Sequence, residues 1–276
     1  MPVPALPAPA MDPRVALLRT LGERAGRLTL DYFQHPELAV DHKSDLSPVT
    51  AADLAAEALV RRSILEAFPN DAILGEEHGD HPGSTGFRWI IDPIDGTVSF
   101  ARGVPLYGVL LALEYEGADG NGIVAGTCEL PALGERVWAA AGRGAWWARA
   151  GRDAVRARVS ADVRLRDALV ATTGIEYFRR GGNEGALEKL HAAAGRIRGW
   201  SDCYSLALAA TGRCDAAVEP WMNPWDSGPF PIIFEEAGGR FTSWDGTADV
   251  RRRTAVAAAP ALHAELVELL SAHELR

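Results

Sequence analysis

Two carboxylates three residues apart, Asp92 and Asp95, end the apolar run Trp89-Ile90-Ile91, and Pro93 stiffens the turn between them. Gly96 and Thr97 follow at once, where the chain could present backbone N–H groups at the start of a helical turn. Carboxylate and carbonyl oxygens suit a hard divalent cation such as Mg²⁺, and N–H groups at a helix start suit a phosphate. One short stretch therefore carries the parts for holding a cation and a phosphate side by side. Further acidic residues could join it: Glu76 and Glu77 after Gly75, Asp53 early in a helical pattern, and Asp226 after Trp225.

Each of these has a plainer alternative. Thr50-x-x-Asp53 has the spacing of a capping box, Asp226 could cap the helix that follows, Glu76-Glu77 could be a solvated turn, and Asp92 and Asp95 could be turn residues around a proline. The apolar run before Asp92 nevertheless argues for burial. Two carboxylates about 4 Å apart repel by about 4 kcal/mol at an effective dielectric of 20, so a buried group of them needs counter-charge. Arg88 is the only lysine or arginine between Glu76 and Thr97. A metal ion is the economical answer. Zinc is disfavoured, because Glu77-His78-Gly79-Asp80-His81 has no third nitrogen or sulfur ligand near it in sequence, and nothing resembles a Ser-His-Asp hydrolase.

The elements that must position these groups are legible from periodicity. Apolar spacing predicts a helix from about Val15 to Phe33 and another from Ala51 to Phe68, then a strand at Asp71–Gly75 leading into Glu76. Between Val104 and Trp147, short β-type runs separated by glycine turns such as Asp119-Gly120-Asn121-Gly122 predict an antiparallel meander. After Ser160 helices and strands alternate. The spacing predicts a helix at Ser201–Thr211, strands at Ala216–Val218 and Thr254–Ala259, and a last helix near Ala261–His273. Pro229 and Pro231 push the start of another helix to about Phe230, and Gly238-Gly239 ends it. The expectation is an α+β protein with a tail at 1–12, an N-terminal lobe at 13–155 carrying most of the acidic residues, and a C-terminal lobe at 156–276 carrying Asp226.

Composition narrows the classes. The chain has 276 residues, 47% of them hydrophobic, ample for a folded interior. A net charge of −9 argues against a nucleic-acid partner, yet it permits an anionic substrate, because bound cations can reverse the local field. Three cysteines without CxxC spacing read as buried free thiols in a reducing compartment. The opening MPVPALPAPAM lacks a basic start and is broken by prolines, and no later stretch reaches 18 apolar residues. A cytoplasmic protein without a membrane partner is expected.

Four segments in order carry a resemblance: Lys43 to Asp53, Gly75-Glu76-Glu77, Trp89 to Thr97, and Pro224-Trp225-Asp226 followed by Glu235-Glu236-Ala237-Gly238-Gly239. They resemble the inositol monophosphatase family of Mg²⁺-dependent, typically lithium-sensitive phosphomonoesterases, from about Leu17 to the C-terminus. The resemblance implies a layered αβαβα sandwich, usually a homodimer. It implies one metal between Glu76, Asp92 and the carbonyl of Ile94, a second held by Asp92, Asp95 and Asp226, and a third, weaker position near Glu76. It also implies that Thr97, hydrogen-bonded to Asp53, orients and deprotonates the attacking water with help from Glu76. The amides of Gly96 and Thr97 would hold phosphate oxygens, Lys43 would ride on a loop closing over the site, and no covalent phosphoenzyme would form.

Substrate choice points to the C-terminal half. Asp202 stands where many relatives have a small residue, and Glu219 matches a family position that contacts the alcohol part of the ester. Two carboxylates there favour a positively charged leaving group. Asp202-Cys203-Tyr204 and the stretch from Glu219 to Asp226 resemble the histidinol-phosphate phosphatase branch, so L-histidinol phosphate is the expected substrate. Asp202 could instead only cap the helix from Ser201. Inositol 1-phosphate, nucleotide 3′-phosphate, fructose 1,6-bisphosphate and broad-specificity hydrolysis stay open. So does a non-catalytic phosphate-binding regulator, against which the complete set Glu76, Asp92, Asp95, Thr97 and Asp226 argues.

Overall fold

The computed structural model describes residues 12–42, 48–117, 120–161 and 163–273. Residues 1–11 of the expected tail, Lys43 and Asp119 lie outside the described residues. Asp12 is not tail: its carboxylate accepts from Arg14 N and caps helix α1 (Pro13–Tyr32). A short antiparallel pair, β1 (Val40–His42) and β2 (Pro48–Thr50), leads into α2 (Ala51–Ala67). The Thr50/Asp53 capping box is present at the start of α2.

The first sheet follows as β3 (Ala72–Gly75), β4 (Gly79–His81), β5 (Phe87–Asp95), β6 (Gly108–Gly117), β7 (Gly120–Leu130), β8 (Glu135–Ala140), β9 (Ala145–Arg149) and β10 (Arg152–Arg156), with a one-turn helix α3 (Thr97–Ala101) after β5. Its spatial order is β10-β9-β8-β7-β6-β5-β3-β4. From β5 to β10 neighbours are antiparallel, as the meander reading expects. The turn after β6 is displaced from its expected place: Gly117 pairs with Gly120, and Gly120 to Gly122 already belong to β7. Strand β3 alone runs parallel to β5, with Gly75 opposite Ile91. That register sets Glu76 beside Asp92.

The second half of the chain builds β11 (Leu169–Thr172), α4 (Ile175–Arg180), α5 (Glu184–Ala193), β12 (Arg196–Gly199), α6 (Asp202–Ala210), β13 (Ala216–Glu219), α7 (Pro224–Ser227), α8 (Phe230–Glu236), β14 (Arg240–Thr242), β15 (Ala255–Ala258) and α9 (Pro260–Leu270). The sheet order is β12-β11-β13-β15-β14; β12, β11 and β13 are parallel to one another, and the other pairs are antiparallel.

Alternation along the strands sorts the layers, since successive side chains point to opposite faces. Trp89, Ile91, Val109 and Leu111 face Leu18, Leu21, Val60 and Ile64 of α1 and α2. The intervening residues Ile90, Leu110 and Ala112 face Leu206, Phe230, Ile233 and Phe234 of α6 and α8, which also meet Ala217 and Ala257 of the second sheet. The far face of that sheet, through Val170, Val218 and Val256, is covered by Leu190 of α5 and Leu262 and Leu266 of α9. The result is helix, sheet, helix, sheet, helix. Both faces of β5 and β6 are buried, which is why their sequences read as unbroken apolar runs. All three cysteines are buried and unpaired. Among the described residues no helix is long and apolar enough to cross a membrane.

Candidate active site

Strands from both sheets deliver their carboxyl ends to one cavity of about 450 Å³. From the first sheet come Glu76 after β3 and Asp92, Asp95 and Gly96 at the end of β5; from the second come Thr173 after β11, Asp202 after β12 and Glu219 at the end of β13. Asp226, on α7 behind Pro224, completes the acidic lining. Open α/β sheets bind ligands in this place, because loops leaving parallel strands diverge there and leave a crevice.

Asp92, Asp95 and Asp226 each offer an oxygen within 4.8 Å of the others. Asp92 is 1% exposed, while Asp95 and Asp226 keep part of their surface open to the cavity. Burial first, then the charges of Glu76, Asp95, Asp226 and Asp53, push the Asp92 carboxyl well above the ordinary range. Burial and then Asp202 and Asp226 do the same to Asp95, opposed by the Cys203 N–H, which donates to Asp95 Oδ2 at 2.5 Å. Asp226 is pushed up to about 7, by burial and then by Glu76, although Asn223 N donates to its Oδ2 at 2.7 Å. Carboxylates gathered this tightly without an internal cation are short of positive charge. The donor set, all hard oxygens, fits a divalent cation such as Mg²⁺.

The expected Thr97–Asp53 hydrogen bond is absent. Thr97 Oγ1 donates to the Ile94 carbonyl at 3.0 Å, and Asp53 Oδ2 accepts from Thr50 N at 2.8 Å and from Thr50 Oγ1 at 2.5 Å. A hydroxyl has one proton, and the carbonyl three residues back in the same turn takes it. Asp53 therefore caps α2 as the plainer reading has it. Its other oxygen, Oδ1, is buried without a protein partner. Burial raises the group to about 6, against the pull of Thr50 and with a further push from Glu76. The Ile94 carbonyl, already accepting from Thr97, has a second lone pair free to ligate.

Gly96 has φ +85°, and a Cβ there would lie 3.0 Å from Leu106 O and 3.1 Å from Asp202 Oδ2. The glycine thus lets the loop after β5 meet Asp202, and the first residues of α3, whose N–H groups lack intrahelical acceptors, line the cavity. Asp202 does not cap its helix. Ser201 is the N-cap, without a side-chain bond to the helix N–H groups, and Asp202 is the first helical residue. Ser201 and Asp202 both have positive φ, 66° and 49°. Two consecutive non-glycine residues in that region cost about 1–2 kcal/mol each, and such strain gathers where a side chain must be aimed. Burial raises Asp202 to about 6, offset by Ser201 and reinforced by Glu176. Glu219 is 3% exposed, its Oε1 has no partner, and burial with the charges of Asp202, Asp95 and Asp226 holds its carboxyl well above the usual range.

Sequence reasoning missed the opposite wall. Trp221 lies between two guanidinium groups, Arg180 at 4.9 Å and Arg253 at 4.7 Å from its ring centre, and Arg253 also donates to Asn223 Oδ1 at 2.8 Å. Tyr177 lines the same cavity, its hydroxyl pushed up by burial and by Asp202, Asp95 and Asp226. Trp221 sits inside the stretch from Glu219 to Asp226 and could have been flagged there; the arginines, far off in sequence, gave no signal.

A sequence model of the inositol monophosphatase family matches residues 10–275. A histidinol-phosphatase of Chlorobaculum parvum is 45% identical over 229 residues, covering 83% of this chain and 85% of that one. A histidinol-phosphatase of Mycobacterium tuberculosis is 40% identical over 256 residues, covering 93% and 97%. The crystal structure of the extragenic suppressor protein suhB from Bartonella henselae superimposes with a TM-score of 0.82 at 30% identity, covering 94% of this chain and 98% of that one.

Proposed function

The chain belongs to the inositol monophosphatase family and is a phosphoric monoester hydrolase, and from that premise we propose that it hydrolyses L-histidinol phosphate to L-histidinol and phosphate. One observation carries the choice of ester. Beyond Glu76 and the trio Asp92, Asp95 and Asp226, the cavity holds two more carboxylates, Asp202 and Glu219, and the buried Glu219 oxygen has no partner. A buried carboxylate oxygen without a donor is costly, so the molecule that belongs there brings a hydrogen-bond donor, and the second carboxylate, Asp202, acting on Glu219 favours one that carries positive charge. L-Histidinol carries an ammonium and an imidazole; inositol carries neither. The two histidinol-phosphatases at 45% and 40% identity support the same reading.

The roles are assigned accordingly. Glu76, Asp92, Asp95, Asp226 and the Ile94 carbonyl would hold two Mg²⁺ ions, with a third, weaker position near Glu76. Bound there, the ions would supply Lewis-acid neutralisation of the phosphoryl and leaving-group oxygens. The N–H groups of Gly96 and Thr97 hold the non-bridging phosphate oxygens. Asp53, with a raised pKa and one oxygen lacking a protein partner, would take a proton from the attacking water, which Thr97 would orient through its hydroxyl lone pairs. Asp202 and Glu219 grip the alcohol part by its positive charge, beside Trp221 and Tyr177 in the same cavity.

The test is phosphate release in Mg²⁺ from a panel of L-histidinol phosphate, inositol 1-phosphate, 3′-phosphoadenosine 5′-phosphate and fructose 1,6-bisphosphate. A preference of about a hundredfold in kcat/KM for the first, about 3 kcal/mol, is expected. Equal rates, or a preference for inositol 1-phosphate, would overturn the choice of ester.

A further inference from the structure

Glu57 is absent from every motif above, yet it is a carboxylate with 0% exposure, one helical turn beyond Asp53 on α2. Its Oε2 accepts from the Glu77 N–H at 2.7 Å; its Oε1 accepts from the His78 N–H at 3.1 Å and from Arg61 Nη1 at 2.9 Å. His78 Nδ1 lies 3.3 Å from the same Oε1. On the other side of the turn, the Glu76 N–H donates to the Ile91 carbonyl at 3.2 Å, one residue before Asp92. The backbone that carries Glu76 is thus clamped between β5 and the Glu57 carboxylate. Gly75 is part of the fitting: a Cβ there would fall 2.1 Å from Glu57 Oε1. Charge-assisted bonds from one carboxylate to consecutive N–H groups are about twice as strong as neutral ones, and they fix orientation as well as position.

We propose that Glu57 is a positioning residue for the cation site: by capping the Glu77 and His78 N–H groups through the gap left by Gly75, it holds the Glu76 carboxylate at the distance from Asp92 that a shared divalent ion requires. This rests on the assignment of Glu76 as a ligand. Outer groups that orient metal ligands commonly weaken metal affinity tenfold to a hundredfold when lost.

The test is calorimetric titration of Mg²⁺ into the metal-free full chain, beside the Mg²⁺ concentration giving half-maximal phosphate release, for Glu57→Gln, Gly75→Ala and Glu76→Gln. Glutamine keeps the volume but sets an NH₂ group against a backbone N–H, so the turn must move. At least tenfold weaker Mg²⁺ binding is expected in Glu57→Gln, with kcat at saturating Mg²⁺ and KM for the ester within about threefold of the parent. Gly75→Ala dislodges the same carboxylate from the other side, should do the same, and serves if Glu57→Gln does not fold. An unchanged Mg²⁺ titration in either folded variant, while Glu76→Gln weakens binding, overturns the role of Glu57. A fall in kcat with normal Mg²⁺ affinity marks a structural role and overturns it equally. If Glu76→Gln binds Mg²⁺ like the parent, the ligand assignment itself fails and Glu57 falls with it.

Discussion

Neutralising one carboxylate of the central trio should stabilise the metal-free protein and at the same time ruin its response to Mg²⁺. Asp226→Asn is the cleanest such change, since the amide oxygen can still accept from Asn223 N. Each pair within the 4.8 Å trio repels by about 3 kcal/mol at an effective dielectric of 20. A second route gives a similar size. Asp226 titrates at about 7 instead of the ordinary 3.8, and that difference is worth about 4 kcal/mol at about 1.4 kcal/mol per pH unit. Its direction follows from proton binding. Between 3.8 and about 7 the folded state holds a proton on Asp226 that the unfolded state has lost, so the penalty is absent below about pH 4, grows as pH rises, and is complete above about pH 7. In EDTA at pH 8, Asp226→Asn should therefore unfold about 6–8 °C higher than the parent, at about 2 °C per kcal/mol for a chain of this size. At pH 5 about 1.6 kcal/mol of the penalty is left, so the gap should shrink to about 3 °C. Saturating Mg²⁺ at pH 8 should close the gap: the parent gains about 2.7 kcal/mol at a hundredfold excess over Kd and about 4.1 kcal/mol at a thousandfold excess, and the variant little. Differential scanning calorimetry at the two pH values, with and without Mg²⁺, measures all of this. A variant less stable than the parent in EDTA at pH 8, or a parent indifferent to Mg²⁺, refutes the reasoning.

Two further substitutions probe single roles. Asp53→Asn retains an oxygen for the Thr50 cap, so stability should change by no more than about 1 kcal/mol, while kcat should fall at least a hundredfold; an active, merely less stable enzyme would leave Asp53 as a cap alone. Glu219→Gln should raise KM for L-histidinol phosphate about thirtyfold, about 2 kcal/mol for a charged hydrogen bond, while leaving KM for glycerol phosphate nearly unchanged, and steady-state kinetics on both esters would expose a non-specific effect as an equal loss.

Legibility followed range along the chain. The helix starts at Pro13 and Ala51, the delay of α8 to Phe230 and the meander all rest on neighbours within a few residues, where capping, proline geometry and alternation act. The capping box at Thr50 and Asp53 was legible for the same reason. The displaced turn after β6 was not: Gly120, Asn121 and Gly122 look like turn residues locally, but pairing with β6 extends β7 back to Gly120. The Thr97 hydroxyl was misassigned because two acceptors compete for one proton, and the distance to each depends on how α3 seats against β5.

What the sequence by itself determined is which groups exist and in what local frame: acidic residues at strand ends, a glycine where backbone must turn, prolines that time the helices. Periodicity and spacing encode these because hydrogen-bonded ladders are local. Only the tertiary structure decided that the carboxyl ends of strands from two different sheets open into one cavity, that Glu57 reaches back across Gly75 to hold the turn of Glu76, and that Arg180 and Arg253 flank Trp221. Those contacts join residues tens of positions apart, and the helices packed between the sheets, α6 and α8, set how far one wall of the cavity stands from the other.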